Sequence, residues 1–512
     1  MESRTRLGLG ILGAALILGG LGDTLLRATP WGINFLLWVS ALAVAGIALT
    51  RLGVPLRGDG RWFAVVAVLF AGGVLWRDSP VLVALDVGVV LLAISLAIWR
   101  SHEGSLRRAG ISEYVIGATV SGALSSAGPL PVAVRDIQWR EVAPGRWQGP
   151  ALAVTRGLLI SAPVLLVFGG LFVAADAVFE RLVFDFFGFD LAEALGHLAL
   201  ICALAWISCG ALWTALLANS PAGLTIHRPP ALSLGILEVG IVVGLLDLLF
   251  AAFVAIQVRY LFGGAGRVLA ADGLTYAEYA RRGFFELVTV TALALPLLLL
   301  AHWLLRADNR IAERAFRWFA VVLVALQFVV VASALQRMYL YTQQFGLTEL
   351  RLYTTAFMLW LSIVLLWLLA TVVRGRRDRF AFGALVSGLA AVLLINIINP
   401  DALIARTNIA RAQDDKELDV PYLASLSADA VPVLVESYPE VGDERIYEDT
   451  VILPSGKEKS LKGPMLEEEV TKRWSKQNTD WRSWNLSRYR ARAIVEKSVR
   501  DATVSPSQGH AN

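Results

Sequence analysis

Residues 352–373 read LYTTAFMLWLSIVLLWLLATVV, a run without a single charged side chain. A helix of about 20 apolar residues crosses the roughly 30 Å hydrocarbon layer of a bilayer, and it satisfies all its backbone hydrogen bonds internally, as lipid requires. Helices of soluble proteins are usually apolar along one stripe only. This one is apolar all round. Similar runs recur along the chain, and the spacing predicts spanning helices over 7–26, 31–50, 62–76, 80–99, 157–179, 191–218, 234–258, 284–305, 317–340, 352–373 and 380–398. The third is short, with Arg61 and Arg77 at its ends to reach the two interfaces. Residues 111–134 are apolar but rich in Gly, Ser and Pro, which suits an interfacial or re-entrant piece.

Composition agrees. The chain is 56% hydrophobic, against about 45–50% for a soluble domain. The expected fold is therefore all-α: a polytopic bundle of about 11 transmembrane helices over residues 1–399, with a small, mostly helical C-terminal extramembrane tail over 400–504 and a disordered end at 505–512. Within the tail, helices are expected over 401–412, 418–438 (as one or two), 467–475 and 481–499. The last carries Trp481, Trp484 and Tyr489 among arginines, a mixture that suits either the headgroup level or an ordinary solvated face.

The net charge of +4 is no nucleic-acid signature, because the basic residues sit in short loops between apolar helices. There they report topology. With the N-terminus inside, 21 arginines fall on the cytoplasmic side and 9 on the other. The positive-inside rule then places the N-terminus in the cytoplasm and the tail outside a bacterial cytoplasmic membrane. Met1–Gly20 resembles a signal peptide but is followed by Gly-Asp-Thr-Leu-Leu-Arg rather than a small-residue cleavage site, so it is expected to remain as the first helix. The two cysteines, Cys202 and Cys209, lie in one apolar helix and fit no disulfide framework or zinc site.

Few residues offer chemistry. Gly8-Leu-Gly-Ile-Leu-Gly13 matches a dinucleotide fingerprint but follows no strand; small residues there favour close helix packing. The histidines have no metal spacing, and no cofactor is implied. What remains is charge within the spans, which is costly and commonly faces a bundle interior. Asp247 is the leading candidate, near mid-span, with Glu238 on the opposite face of the same helix. Asp86, Asp176 and Glu286 lie nearer helix ends. A second candidate is an outer-face anion or lipid-headgroup site formed by Arg259, Tyr260, Arg281, Arg282, Arg337, Arg351 and Asp401, with Glu278, Tyr339 and Asn399 nearby, since guanidinium forks match phosphate and carboxylate. The plainer alternative is structural pairing, as Glu278 is well spaced for Arg281 and Arg282.

Two hairpins, over 234–305 and 317–373, share a pattern. Gln257-Val-Arg-Tyr-Leu-Phe262 precedes Gly273-Leu-Thr275, and Gln336-Arg-Met-Tyr-Leu-Tyr341 precedes Gly346-Leu-Thr348. In each, the Thr is placed to cap the next helix. A parallel duplication of a two-helix unit, as in some transporters, would produce this. The same strings, with Tyr260–Gly264, Gly273–Leu287, Gly346-Leu-Thr-x-x-Arg-Leu-Tyr353, Asn399-Pro-Asp-Ala402 and Leu418-Asp-Val-Pro-Tyr-Leu423, resemble the bacterial membrane family called domain of unknown function 4173 over residues 235–435. The resemblance implies a membrane fold and no activity. Three function classes stay open: transport or permeation through a path that includes Asp247; a non-catalytic scaffold or sensor whose tail binds a partner; and an intramembrane enzyme on lipid-linked substrate, which is ranked last. The partners implied are the bilayer and a headgroup or anionic ligand.

Overall fold

The computed structural model describes residues 3–52, 58–99, 106–139, 191–218, 234–262, 284–305, 310–371, 379–412, 418–441, 448–452, 458–462, 464–475 and 480–504, together with Arg374 and scattered positions between 153 and 179. Nine helices among these are long and apolar enough to cross a membrane, and a tenth apolar helix is shorter. The all-α reading holds, and the protein is a multi-pass integral membrane protein. Ten of the eleven expected spans form helices; the fifth, 157–179, lies largely outside the described residues. The chain divides into two compact units.

The first unit contains α1 (Ser3–Leu26), α2 (Ile33–Thr50), α3 (Gly60–Trp76), α4 (Pro80–Trp99), α5 (Ile111–Ser126) and α6 (Leu191–Leu216). α1 packs closely along α6, and its glycines explain why. A β-carbon on Gly19 would lie 2.5 Å from the Ile201 carbonyl oxygen and 2.8 Å from the Ala205 β-carbon. α5 has 16 residues, about 24 Å at 1.5 Å per residue, shorter than a full crossing. Gly128, at φ +60°, turns the chain, and a π-helical turn, Val132–Asp136, follows. That turn buries Asp136, whose carboxylate accepts from Arg4 Nε and Trp213 Nε1, both at 2.7 Å. Cys209 is buried in the same core.

A stretch of the tail belongs to this unit. The helix expected from Trp481 breaks. Asp480 caps a short 3-10 turn at Trp481–Ser483, and the long helix starts only at Leu486. In between, Asn485 Nδ2 donates to the carbonyls of Val74 and Arg77, at 2.9 and 2.8 Å. Arg482 donates to the Thr24 carbonyl, and the Trp484 carbonyl accepts from Ile33 N. The segment thereby satisfies backbone groups at the end of α1, the start of α2 and the end of α3, groups that a helix cannot satisfy for itself.

The second unit contains α7 (Ile236–Phe262), α8 (Phe284–Leu304), α9 (Arg310–Phe345), α10 (Glu349–Thr371) and α11 (Phe380–Ile398). α9 has 36 residues, about 54 Å of helix, so it extends well beyond one hydrocarbon layer. α7 and α9 run parallel. Gly240 and Gly244 of α7 face the Phe319 ring of α9, while Gln257 near the end of α7 meets Ser333 and Arg337 near the end of α9.

The tail continues as α12 (Pro400–Ala412), α13 (Val420–Ser425), α14 (Val431–Glu436), β1 (Glu448–Ile452), β2 (Glu458–Lys462), α15 (Leu466–Ser475) and α16 (Leu486–Val504). The antiparallel β1–β2 hairpin was not expected from the sequence. The helices share a small core of their own: Leu466, Val470 and Trp474 recur at four-residue spacing on α15 and meet Ile404, Leu423, Leu434, Ala491 and Val495.

Gly19→Leu should separate α1 from α6, at a cost of about 1–3 kcal/mol typical of overpacking. Thermal unfolding in detergent should show a lower midpoint for this variant and no change for Gly13→Leu, where the added carbon meets nothing within 4 Å.

Candidate functional site

Two polar constellations stand out in the second unit. The first lies inside the bundle. Asp247 is near the middle of the candidate span Ile236–Gln257, on the face of α7 that carries Val243, Phe250 and Gln257, all buried. It is 8% exposed, and neither carboxylate oxygen has a hydrogen-bond partner among the described residues. α7 and α9 run parallel, with Gly244 against Phe319 and Gln257 against Ser333 and Arg337, so Asp247 and Gln327 both fall in the stretch between these contacts. Gln327 is fully buried, and its amide oxygen and nitrogen also lack partners among the described residues. A buried amide or carboxyl left unpaired costs at least about 1–3 kcal/mol, and native proteins leave few such groups without a reason.

Towards the tail-side end, the same seam becomes a satisfied network. Gln257 Oε1 accepts from Ser333 Oγ at 3.1 Å and from Arg337 Nη2 at 3.0 Å. Arg337 is itself buried, at 9% exposed. The seam therefore changes along its length from unpaired groups at mid-span to a guanidinium-bearing network at the end.

The second constellation fastens the tail core to the turn between α9 and α10. Gly346, at φ +79°, ends α9 in the left-handed conformation that favours glycine. A β-carbon there would also strike Asn408 and Arg411 at 2.6 Å. Asn408 of α12 grips the next residue at both backbone groups: its Oδ1 accepts from Leu347 N at 2.7 Å and its Nδ2 donates to Leu347 O at 2.8 Å. Arg411 donates to the carbonyls of Gln343 and Gln344. Arg351 donates to those of Phe345 and Gly346 and lies over the Tyr341 ring, 4.1 Å from its centroid. Two guanidiniums thus cap the negative end of a very long helix dipole. The Tyr422 oxygen accepts from Glu349 N at 2.8 Å.

Beneath this clamp lies a buried acid cluster. Asn399, at φ +59°, ends α11, and its Oδ1 accepts from Ala402 N at the start of α12. This places Asp401 fully inside. Asp401 Oδ2 accepts from Ser427 N at 3.1 Å and Ser427 Oγ at 2.5 Å. Ser427 Oγ also sits 3.4 Å from Asp429 Oδ2, and Asp429 Oδ1 accepts from Ser487 Oγ at 2.5 Å. Asp401 Oδ1 has no hydrogen-bond partner among the described residues. Burial pushes the Asp401 carboxyl above its usual range against the lowering effect of the Ser427 hydrogen bonds, and the charge of Asp429 raises it further.

The other sequence candidates separate. Asp86 is fully buried on α4, with its carboxylate against Gly73 of α3, where a β-carbon would come within 2.3 Å. Asp176 is exposed and accepts from the backbone N–H groups of Val178 and Phe179. Glu238 closes the first turn of α7 by accepting from Gly235 N. Glu286 is exposed at the start of α8, and Tyr339 is exposed on α9. Of the outer-face set, Arg351 and Asp401 come together at the clamp, and Arg337 belongs to the intramembrane seam. The side chains of Arg259 and Tyr260, with Glu278, Arg281, Arg282 and the first Gly-Leu-Thr, lie outside the described residues. Among the described residues no group of His, Cys, Asp or Glu could hold a metal ion.

Sequence reasoning missed three features. Gln327 and Asn408 are neutral, and a search for charge passes over them. Asp23 accepts from His197 Nδ1 at 2.6 Å across 174 residues, with Arg27 at 3.9 Å, a pairing that only the folded chain brings together.

The Asp401 carboxyl sets a pH dependence. A group whose folded-state pKa is raised contributes stability below its unfolded value and loses it as pH rises through the folded value. Wild-type protein should therefore lose thermal stability as pH climbs from the acid range towards neutrality. Asp401→Asn, which keeps the acceptor for Ser427, should flatten that slope in melting curves. Asn408→Ala should lower the midpoint by the equivalent of about 1–2 kcal/mol for two hydrogen bonds.

Residues 64–437 match the family model described as Domain of unknown function (DUF4153). No curated protein matches the chain, and no solved structure does. The matched family is uncharacterised, as the sequence resemblance implied, but it is family 4153 and not 4173. With well over half its length covered, the chain belongs to the DUF4153 family.

Proposed function

We propose that the protein is a transport or permeation protein and that its path runs along the seam between α7 and α9, with Asp247 as the group that binds and releases a proton. The observation that carries this is the pair of buried polar side chains, Asp247 and Gln327, without hydrogen-bond partners among the described residues, on two packed parallel helices. An ionisable residue kept at mid-membrane without structural bonding is the usual mark of an ion or proton path. Ser333, Gln257 and Arg337 extend the polar lining to one end of the helices. We propose also that α7 and α9 are the equivalent helices of a duplicated hairpin, which their parallel course and matching Gln-x-x-Tyr-Leu strings support.

The orientation proposed is N-terminus inside and tail outside, in a bacterial cytoplasmic membrane. The arginine distribution favours it. So does the seating of residues 480–485 on the far ends of α1 and α3, since α1 begins at the N-terminus and ends at the tail segment.

A second reading has its own observation. The tail core is clamped to the α9–α10 turn by Asn408, Arg411 and Tyr422, which suits a sensor whose tail reports to the helices. Deleting residues 418–512 should then abolish a crosslinkable partner and leave the helices inserted. No crosslinked partner with either form would remove this reading.

Transport is tested with full-length protein in vesicles that trap the pH-sensitive dye pyranine, under a potassium diffusion potential. Wild type should acidify the lumen faster than protein-free vesicles. Asp247→Asn should fall to the protein-free rate while melting at the same temperature or higher, since it removes a buried acid. Equal rates for the two proteins would exclude Asp247 from the path.

A further inference from the structure

The first unit holds a cavity of ≈ 130 Å³ bounded by α2, α3, α4 and α6. Small side chains create it: Ala43 and Gly46 on α2, Ala64 on α3, Ala97 on α4 and Ala215 on α6 leave room that larger residues would fill. A void of this size forfeits the contacts its walls would otherwise make, and an apolar cavity does not take up water. Ile47, one of the lining residues, is 55% exposed, so the cavity opens at α2 to whatever surrounds the helices. All four helices belong to the membrane-embedded part, where the surrounding medium is lipid.

One end of the cavity is charged. Arg61, in the first turn of α3, is the one ionic residue among the described residues that line it. It is exposed, lies over the neighbouring Trp62 ring at 5.5 Å, and pairs with no carboxylate among the described residues. The nearest acid in sequence, Asp59, is engaged by Leu106 N at 3.1 Å. Trp62 is 61% exposed, and an exposed Trp beside an Arg marks the headgroup level of a bilayer. From there the lining runs inward. On α2 it extends from Ile47 to Val39, about 12 Å at 1.5 Å per residue, close to half of the roughly 30 Å hydrocarbon thickness. The cavity therefore has the depth of one leaflet, an apolar wall and an exposed guanidinium at its polar end.

We infer that this cavity binds one acyl chain of an anionic phospholipid, with the lipid phosphate held by Arg61. The site is separate from the α7–α9 seam and does not depend on it. An acyl chain supplies the missing contacts, and the planar guanidinium fork matches a phosphate. A zwitterionic lipid would fit the wall equally well but gain less at Arg61, so the expected preference is for net negative headgroups.

Native mass spectrometry of the full-length protein from nanodiscs of phosphatidylcholine and phosphatidylglycerol in equal amounts tests this. Wild type should retain phosphatidylglycerol over phosphatidylcholine by about tenfold, the ratio that roughly 1.4 kcal/mol of a charge-assisted contact gives. Arg61→Gln should bring the ratio near one, and Arg61→Lys should keep an intermediate preference. Gly46→Leu fills the cavity from a position whose β-carbon meets only Leu212, at 3.8 Å, and should abolish retention of both lipids. A preference for phosphatidylglycerol that survives Arg61→Gln, or retention of either lipid that survives Gly46→Leu, would overturn the assignment. If Gly46→Leu fails to fold, Arg61→Gln alone decides.

Discussion

Inside a bilayer there is no water to take up an unmet hydrogen bond, so every polar group on these helices must be satisfied by the chain itself or carry a cost of several kcal/mol. Most of the molecule follows from that constraint. Asp136 is buried because Arg4 and Trp213 both reach it. Arg337 is buried because Gln257 receives it. The open backbone groups at the ends of α1, α2 and α3 are met by residues 482–485, brought back from the far end of the chain. Against this background Asp247 and Gln327, whose polar side-chain atoms have no partner among the described residues, are exceptions, and natural proteins keep such exceptions where function uses them.

The same constraint organises the tail. α9 and α10 meet in a turn whose carbonyls need donors, and α12 supplies them through Asn408 and Arg411. The strings Gly346-Leu-Thr, Asn399-Pro-Asp-Ala and Leu418-Asp-Val-Pro-Tyr-Leu, far apart in sequence, therefore belong to one structure. Gly346 makes the turn, Asn399 redirects the chain into α12, Asp401 anchors Ser427, and Tyr422 meets the first residue of α10. Because the turn joins two spanning helices, any change in the tail core that shifts α12 acts directly on the end of α9, the helix that carries Gln327 and Arg337.

Sequence periodicity and charge showed the bundle because span length and loop arginines are local properties, read residue by residue. Asp247 was legible for the same reason: one acid in a long apolar run is conspicuous. The stretch of α9 packed beside it was not. Gln327 becomes significant only when α7 and α9 are known to pack in parallel, a tertiary fact. Arg351 was read as a ligand-binding candidate because an arginine outside the positive side needs an explanation; the explanation here is the carbonyl end of α9. The helix expected across Trp481–Val499 fails at Asn485 for a similar reason, since the amide is taken by Val74 and Arg77 on a distant helix. Local propensity could not show that. The β1–β2 hairpin was missed because it sits in a charged stretch without the alternation that marks a half-buried strand.

The central claim is that the α7–α9 seam exposes a protonatable carboxyl within the membrane. Dicyclohexylcarbodiimide, an apolar reagent that attacks protonated carboxyl groups, probes it directly in the intact, membrane-reconstituted protein. Peptide mapping should find Asp247 modified at acid pH, with less modification as pH rises, and no modification at that peptide in Asp247→Asn. An Asp247 that stays unmodified at every pH while exposed acids such as Glu286 react would contradict the claim.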